Sequence, residues 1–379
     1  VLQASTASTA SLPELRVARA RPWRGRVLEL LMVGGLTPLL FPLSWLLRRS
    51  LGLDEAELAV GFTMFYGAYV LNDPHFAVTY VLFYKDLRAR AFGDAFSAAQ
   101  RVRYWIAGML VPLGLALWAA LAFAQRSSSL LGLLFQLMFL LVGWHYVKQG
   151  FGVLTVLSAR RGLRFSARER LAILAHAYAG WAYAWASPAD PGHEVEAKGL
   201  VYMTWAHPPG LERLTQILFF ASLVPLLWVL VQKRRREGAL PLLAPLTAFL
   251  CSVWLWSIYA SVDPLVRYVI PALHSVQYLY MVWLLKRNEA RERQNAPWFE
   301  PAAAVRLSTL AASAIGLGIL IFHAGPTLLD DTRRHAGPLG ATPYFAAIYA
   351  FVNIHHYFMD TVIWRRDNPL TRYLRVTDA

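Results

Sequence analysis

Hydrophobic residues along this chain gather into runs of roughly twenty or more, the length an α-helix needs to cross the hydrocarbon core of a bilayer. Ten such runs occur, at 27–47, 58–84, 103–124, 129–157, 170–186, 211–231, 240–261, 265–286, 302–323 and 342–364. They predict an all-α fold, a polytopic transmembrane helical bundle of about ten spans occupying 27–365. Residues 1–12, rich in Ser, Ala and Thr, read as disordered. Residues 13–26 read as a short basic amphipathic segment lying on the inner membrane surface. Residues 366–379 read as a cytoplasmic tail. The first long apolar run begins only after Arg24 and Arg26, so no cleavable signal peptide is expected.

Basic residues between the runs set the orientation. Clusters precede the first run and follow the second, fourth, sixth, eighth and tenth, from Arg16 through Lys85, Arg160, Lys233 and Lys286 to Arg365. The alternate loops carry acids such as Asp54, Glu55, Glu194, Asp263 and Asp330. By the positive-inside rule both termini are cytoplasmic and the even-numbered spans run from outside to inside. A multi-pass protein of a bacterial inner membrane is the expectation, with membrane lipids around it. The net charge of +14 on a chain that is 57% hydrophobic is therefore a topology signal and not a nucleic-acid footprint. Its one cysteine, Cys251, rules out an intramolecular disulfide and a multi-thiolate metal site.

Four polar patches interrupt the apolar runs, each centred on histidine: Asn72-Asp73-Pro74-His75, Gly143 to Gln149 around His145, His274 to Tyr278, and Asn353 to Asp360 around His355 and His356. An ionisable side chain at membrane depth is costly and marks function by default. His75 lies ten residues before Lys85, His145 fifteen before Arg160, His274 twelve before Lys286 and His355 ten before Arg365. These offsets put all of them roughly 15–22 Å from the inner surface. All four patches fall on even-numbered spans, which run the same way, so one layer of the bundle can hold them together.

The neighbours suit a metal. Thr79, Gln149 and Asp360 stand four residues after His75, His145 and His356 and share their faces. Metal-binding imidazoles give their second N–H to such groups, so Asp360 and Gln149 are the main supporting residues, with Gln277, Asn353 and Asn72 beside them. His75, His145, His274 and His356 are candidate ligands. The rings of His355 and His356 point about 100° apart, leaving His355 as an additional or alternative ligand. Pro74 and Pro271 each free a carbonyl near the site. An all-nitrogen set suits iron first, with zinc or copper as alternatives. His176 reads as a hydrogen-bonding helix residue, His323 as interfacial, and His193 and His207 as exposed loop residues. Lys148 reads either as a binder of an anionic group or as a snorkelling lysine.

Pro74-His75, His145-Tyr146, His274-Ser275 and His356 with Asp360 resemble, in order along successive spans, the motifs of the Brp/Blh-type β-carotene-cleaving membrane dioxygenases. About thirty residues carry the resemblance. It implies iron held by histidines of separate helices and oxidation or cleavage of an isoprenoid or other hydrophobic lipid. Thr79 and Gln149 stand where that family's pattern would place acidic residues, and no second histidine follows His274-Ser275 in its helix. The clustered boxes of membrane desaturases are not matched. Two other classes fit parts of the pattern. One is a membrane-bound O-acyltransferase using His145 and Asn353; the other is a heme-binding or transport protein.

Overall fold

The computed structural model describes residues 23–186, 192–238, 240, 243–259, 262–295, 300–332 and 337–375. Expectations for residues 1–22 and for 376–379 fall outside the described residues. Among the described residues each of the ten apolar runs is mainly helical. The helices are α1 (Trp23–Gly35), α2 (Thr37–Leu51), α3 (Leu53–Ala68), α4 (Asn72–Tyr84), α5 (Leu87–Ala91), α6 (Ala98–Ala124) and α7 (Ser128–Ala159). Then follow α8 (Ala167–Ala186), α9 (Leu211–Glu237), α10 (Leu243–Ile258), α11 (Pro264–Gln294), α12 (Pro301–Thr332) and α13 (Pro343–Ile363).

Local sequence starts these helices where they start. Ser97 and Ser127 accept backbone N–H bonds from Gln100 and Leu130, and Asp263 accepts from Leu265 and Val266 ahead of Pro264. Each satisfies donors that a helix start leaves without partners. Proline at the first or second position opens α11, α12 and α13, where its missing N–H costs nothing.

Five of these helices are long and apolar enough to cross a membrane, and the pair α1–α2, bent by 63°, makes a sixth if counted as one span. The most apolar windows of α6 and α9 are only 22% buried, and that of α12 only 17%. Helices this greasy with most of their surface uncovered are membrane spans, since water would not tolerate them. The other expected spans are shorter, broken or more polar helices. The second run is two helices, because the chain turns at 69–71 between α3 and α4. Pro74 thus sits in the first turn of α4, where it is tolerated, rather than kinking a continuous span.

Among the described residues one hairpin departs from all-α: in the loop between α8 and α9, β1 (Glu194–Ala197) pairs antiparallel with β2 (Leu200–Met203). The turn residues Lys198 and Gly199 have φ of 55° and 78°, the doubly positive pattern of a tight hairpin. Leu200 and Tyr202 are buried with Leu131 and Phe135 of α7 and Ala346 of α13, so the hairpin caps the bundle.

At the opposite end, Pro369–Leu374 forms a 3₁₀ turn packed under the bundle. Tyr373 is fully buried, its carbonyl accepts from Asn288 at 2.7 Å, and the carbonyl of Leu374 accepts from Arg160 at 3.2 Å.

The α1–α2 break has its own partners. Gly34 takes φ of 118°, which only glycine adopts readily. The exposed carbonyls are answered from neighbouring helices: Gln277 Nε2 donates to Val33 O at 2.8 Å and Cys251 Sγ to Gly34 O at 3.3 Å. Irregular backbone at membrane depth persists only with such internal partners.

Candidate metal centre

The four histidine-bearing helices α4, α7, α11 and α13 form one packed group, α13 and α11 each contacting both α4 and α7. His75, in the first turn of α4, meets His145 from the middle of α7, His274 from α11 and His356 from α13. All four are buried. One ring nitrogen from each of His75, His145 and His356 lies within 4.8 Å of the other two. His274 joins through His145, their Nε2 atoms 3.0 Å apart, and His356 Nε2 lies 3.3 Å from His145 Nε2.

His145 Nε2 therefore has two nitrogen neighbours at contact distance. A neutral imidazole nitrogen carries one proton or one lone pair, so a single hydrogen bond cannot satisfy both contacts. Ligand nitrogens bonded to one metal at about 2.0–2.1 Å stand roughly 2.9–3.4 Å apart, depending on the coordination angle. Both separations fall in that range.

The chain also fixes the tautomer of His75. The Ser275 hydroxyl donates to Asn72 Oδ1 at 3.0 Å and lies 3.1 Å from His75 Nδ1. Having given away its only proton, Ser275 can only accept from His75, whose Nδ1 is thus the N–H. His75 Nε2 is left with a lone pair, buried and without a hydrogen-bond partner. A buried acceptor without a partner is costly, and a cation supplies what it lacks. On both grounds the donor set fits a metal.

Asp360 borders the ring cluster. Its Oδ1 accepts from the Tyr278 hydroxyl at 2.9 Å and from Trp364 Nε1 at 3.1 Å. Its Oδ2 lies 3.5 Å from His356 Nε2 and 3.7 Å from His145 Nδ1. Tyr278 continues this chain to Thr79, 2.6 Å away. Gln149 donates to the His274 carbonyl at 3.2 Å and to Gln277 Oε1 at 2.8 Å. Gln277 in turn holds the α1–α2 break, so the ring cluster and the broken helix share one hydrogen-bond chain. Asn353 gives its N–H to Tyr349 O and accepts from Tyr357, whose ring stacks on His145 at 4.8 Å.

His355 does not join this group. Its Nε2 lies 3.0 Å from the Ala107 carbonyl, which can only accept, so Nε2 carries the proton. Nδ1 then accepts from the Tyr80 hydroxyl at 3.0 Å. Both nitrogens are used. The carbonyl is available because α6 widens into a π-turn at Ile106–Leu110, and Tyr84 bonds the next one, Gly108 O, at 3.0 Å.

His176 is likewise satisfied. The Ser222 hydroxyl donates to Phe219 O, so it accepts from His176 Nδ1 at 2.9 Å, while Trp254 Nε1 donates to His176 Nε2 at 3.2 Å. This is the interhelical hydrogen bonding expected of it. His207 packs on Trp185.

Sequence reading missed three partners. Ser275 reaches a histidine and Tyr278 an aspartate of another helix, relations no spacing within one helix reveals. His323, expected at the interface, bonds Asp73 Oδ2 at 2.8 Å and stacks on Tyr69 at 4.0 Å. An acid two residues before His75 was the available signal. No family model, curated protein or solved structure matches this chain.

Proposed function

We propose that this protein is an integral membrane metalloenzyme holding one metal ion, with iron first and zinc or copper as alternatives, on His75, His145 and His356, with His274 as the fourth ligand. The observation that carries the reading is His145 Nε2 standing 3.0 Å and 3.3 Å from two other imidazole nitrogens. The substrate we assign is an isoprenoid or other hydrophobic lipid, oxidised or cleaved by the site. Iron on an imidazole set with open positions supplies dioxygen activation when bound, and both oxygen and a lipid are concentrated in the bilayer. The ten-span topology with cytoplasmic termini in a bacterial inner membrane belongs to the same proposal, supported by the alternation of basic clusters.

The chain's own groups have distinct tasks in this reading. Ser275 and Asn72 hold His75 in the ligand tautomer. Asp360, itself held by Tyr278 and Trp364, faces the N–H side of His145 and orients that ring. Gln149 steadies the α11 backbone at His274. Tyr146, whose ring lies 4.2 Å from His274, and Tyr357 exclude water from the ring layer. The packing disfavours acyl transfer through His145 and Asn353, because both hydrogen-bonding ends of the Asn353 amide are committed within α13.

Elemental analysis of the purified full-length chain tests the proposal, repeated on His75→Ala, His145→Ala and His356→Ala. One equivalent of iron in the wild type and a loss in each variant is expected. Metal-free protein that acts on lipid would return the acyltransferase reading, and a Soret band would return the heme reading.

A further inference from the structure

Beside the histidine layer, two oxidisable rings share one proton acceptor. The Tyr278 hydroxyl of α11 and the indole N–H of Trp364 both donate to Asp360 Oδ1, at 2.9 Å and 3.1 Å. Tyr278 is buried, and its ring stands 4.4 Å from that of His75 and 5.7 Å from that of His356. The Trp364 ring meets the Tyr278 ring edge-on at 5.3 Å. Trp364 closes α13, partly buried, and the exposed Arg365, Arg366 and Asp367 follow it. The rings therefore form a continuous line from the histidine layer to the basic end of the bundle. His356 and Trp364 stand about 12 Å apart along the helix axis, a gap that Tyr278 divides into two ring contacts.

Packing alone does not account for the polar ends of these rings. A buried phenol and a buried indole each need an acceptor, and a backbone carbonyl or an amide would serve. A carboxylate is the costly choice at membrane depth. What it adds is the capacity to take a proton. Loss of an electron turns a phenol into a strong acid, and an oxidised Tyr278 that kept its proton would place a positive charge in the apolar interior. With Asp360 in reach, the phenol O–H bond breaks and the proton crosses to Oδ1. A neutral tyrosyl and a neutral carboxyl remain, so a buried negative charge is removed and no positive one is created.

We infer that Tyr278 and Trp364 are an electron relay, leading from a one-electron carrier at the basic end of the bundle to the histidine layer. This rests on the proposal that the layer is a redox metal centre. It assigns that centre to oxidations that draw electrons from outside the lipid, with dioxygen as the final oxidant. In each transfer Tyr278 gives one electron to the layer while its proton passes to Asp360. Trp364 then gives an electron to the tyrosyl as the proton returns to the phenol oxygen. The indole cation so formed stays beside the Asp360 carboxylate until the external carrier refills it.

A ruthenium–bipyridyl sensitiser on Arg366→Cys, in a Cys251→Ser background, tests the relay in the full-length protein in nanodiscs. Flash-quench oxidation of the metal-free protein is expected to give a tryptophan radical and then a neutral tyrosyl, read by transient absorption and freeze-trapped EPR. Tyr278→Phe should lose the tyrosyl and keep the tryptophan radical, and Trp364→Phe should lose both. Asp360→Asn keeps an acceptor oxygen but cannot take the proton, so the tyrosyl should be lost there as well. Tyr373→Phe, which removes the tyrosine of the adjoining 3₁₀ turn, should change nothing. In protein loaded with ferrous iron the tyrosyl should decay as ferric iron appears, and Tyr278→Phe should lose that coupling. No tyrosyl in the wild type, its survival in any of the first three variants, or its loss in Tyr373→Phe overturns the relay. A relay in protein that binds no metal indicts the metal reading alone, and bound iron without a tyrosyl in the metal-free form indicts the relay alone.

Discussion

Ser275 Oγ lies 3.1 Å from His75 Nδ1 while donating its proton to Asn72 3.0 Å away, so a residue of α11 decides which nitrogen of an α4 histidine is free. Supporting hydrogen bonds of this kind fix ring orientation and raise ligand basicity. Ser275→Ala removes the acceptor and lets the ring rotate or change tautomer. Metal affinity is expected to fall by about 10–100-fold, read by competition with a chromogenic chelator. Ser275→Thr keeps the hydroxyl and should keep most of the affinity. An alanine variant that binds metal like the wild type would remove the tautomer argument.

The adjacent histidines of α13 should behave oppositely. His356→Ala is expected to lose the metal. His355→Ala is expected to keep it and to lose thermal stability, because the Ala107 carbonyl and the Tyr80 hydroxyl are left without partners. Each such group costs about 1–3 kcal/mol. Metal content and melting temperature of the two variants, measured side by side, separate the roles. Metal loss in His355→Ala would bring that ring back into the ligand set.

Much of this site was legible in the sequence for one physical reason. Histidine is expensive at membrane depth, so His75, His145, His274 and His356 stand out against apolar runs. The choice between His355 and His356 was only half legible. The carboxylate at i+4 favoured His356, but the decisive fact is the π-turn in α6 that offers His355 the Ala107 carbonyl. Hydropathy carries no signal for a π-turn. The turn between α3 and α4 was hidden similarly, since both flanking segments are apolar and a length rule joins them. Tyr373 was hidden for the opposite reason: six of the last fifteen residues, from Arg365 on, are charged, and this masks one aromatic anchor.

Removing the metal should destabilise the bundle. A ligand that binds only the folded state adds stability in proportion to the logarithm of its concentration over Kd, about 2.7 kcal/mol at a hundredfold excess. Chelation is therefore expected to lower the melting temperature of the wild type and leave that of His356→Ala unchanged. Re-addition of ferrous iron should restore the wild type. Equal shifts in both proteins would show that the chelator acts elsewhere.

The hydrogen-bond chain from the histidine layer to the α1–α2 break makes Gln277 a test of coupling. Its Nε2 holds Val33 O and its Oε1 receives Gln149. Gln277→Leu, close in volume, leaves the Val33 carbonyl and the Gln149 amide unmatched. A destabilisation of about 1–3 kcal/mol per unmatched group is expected, together with faster proteolysis near Gly34. Gln149→Leu leaves the break capped and should spare the region around Gly34. If both variants expose Gly34 equally, the break is held by Cys251 and packing instead.

Gly318 of α12 tests whether helix packing sets the ligand position. A Cβ built there would stand 2.9 Å from the Asp73 carbonyl carbon and from Asp73 Cβ, and 3.1 Å from the carbonyl oxygen. Backbone cannot swing aside as a long side chain can, so Gly318→Ala must push α4 away from α12. Overpacking of this kind costs about 1–3 kcal/mol. His75 lies two residues beyond Asp73 on α4 and moves with it. Metal affinity should then fall in Gly318→Ala although no ligand is touched. The neighbouring Gly316 has nothing within 4 Å of its Cβ position, so Gly316→Ala controls for helix propensity and should leave affinity intact. Unchanged metal binding in both variants would mean that α4 is positioned by α11 and α13 alone.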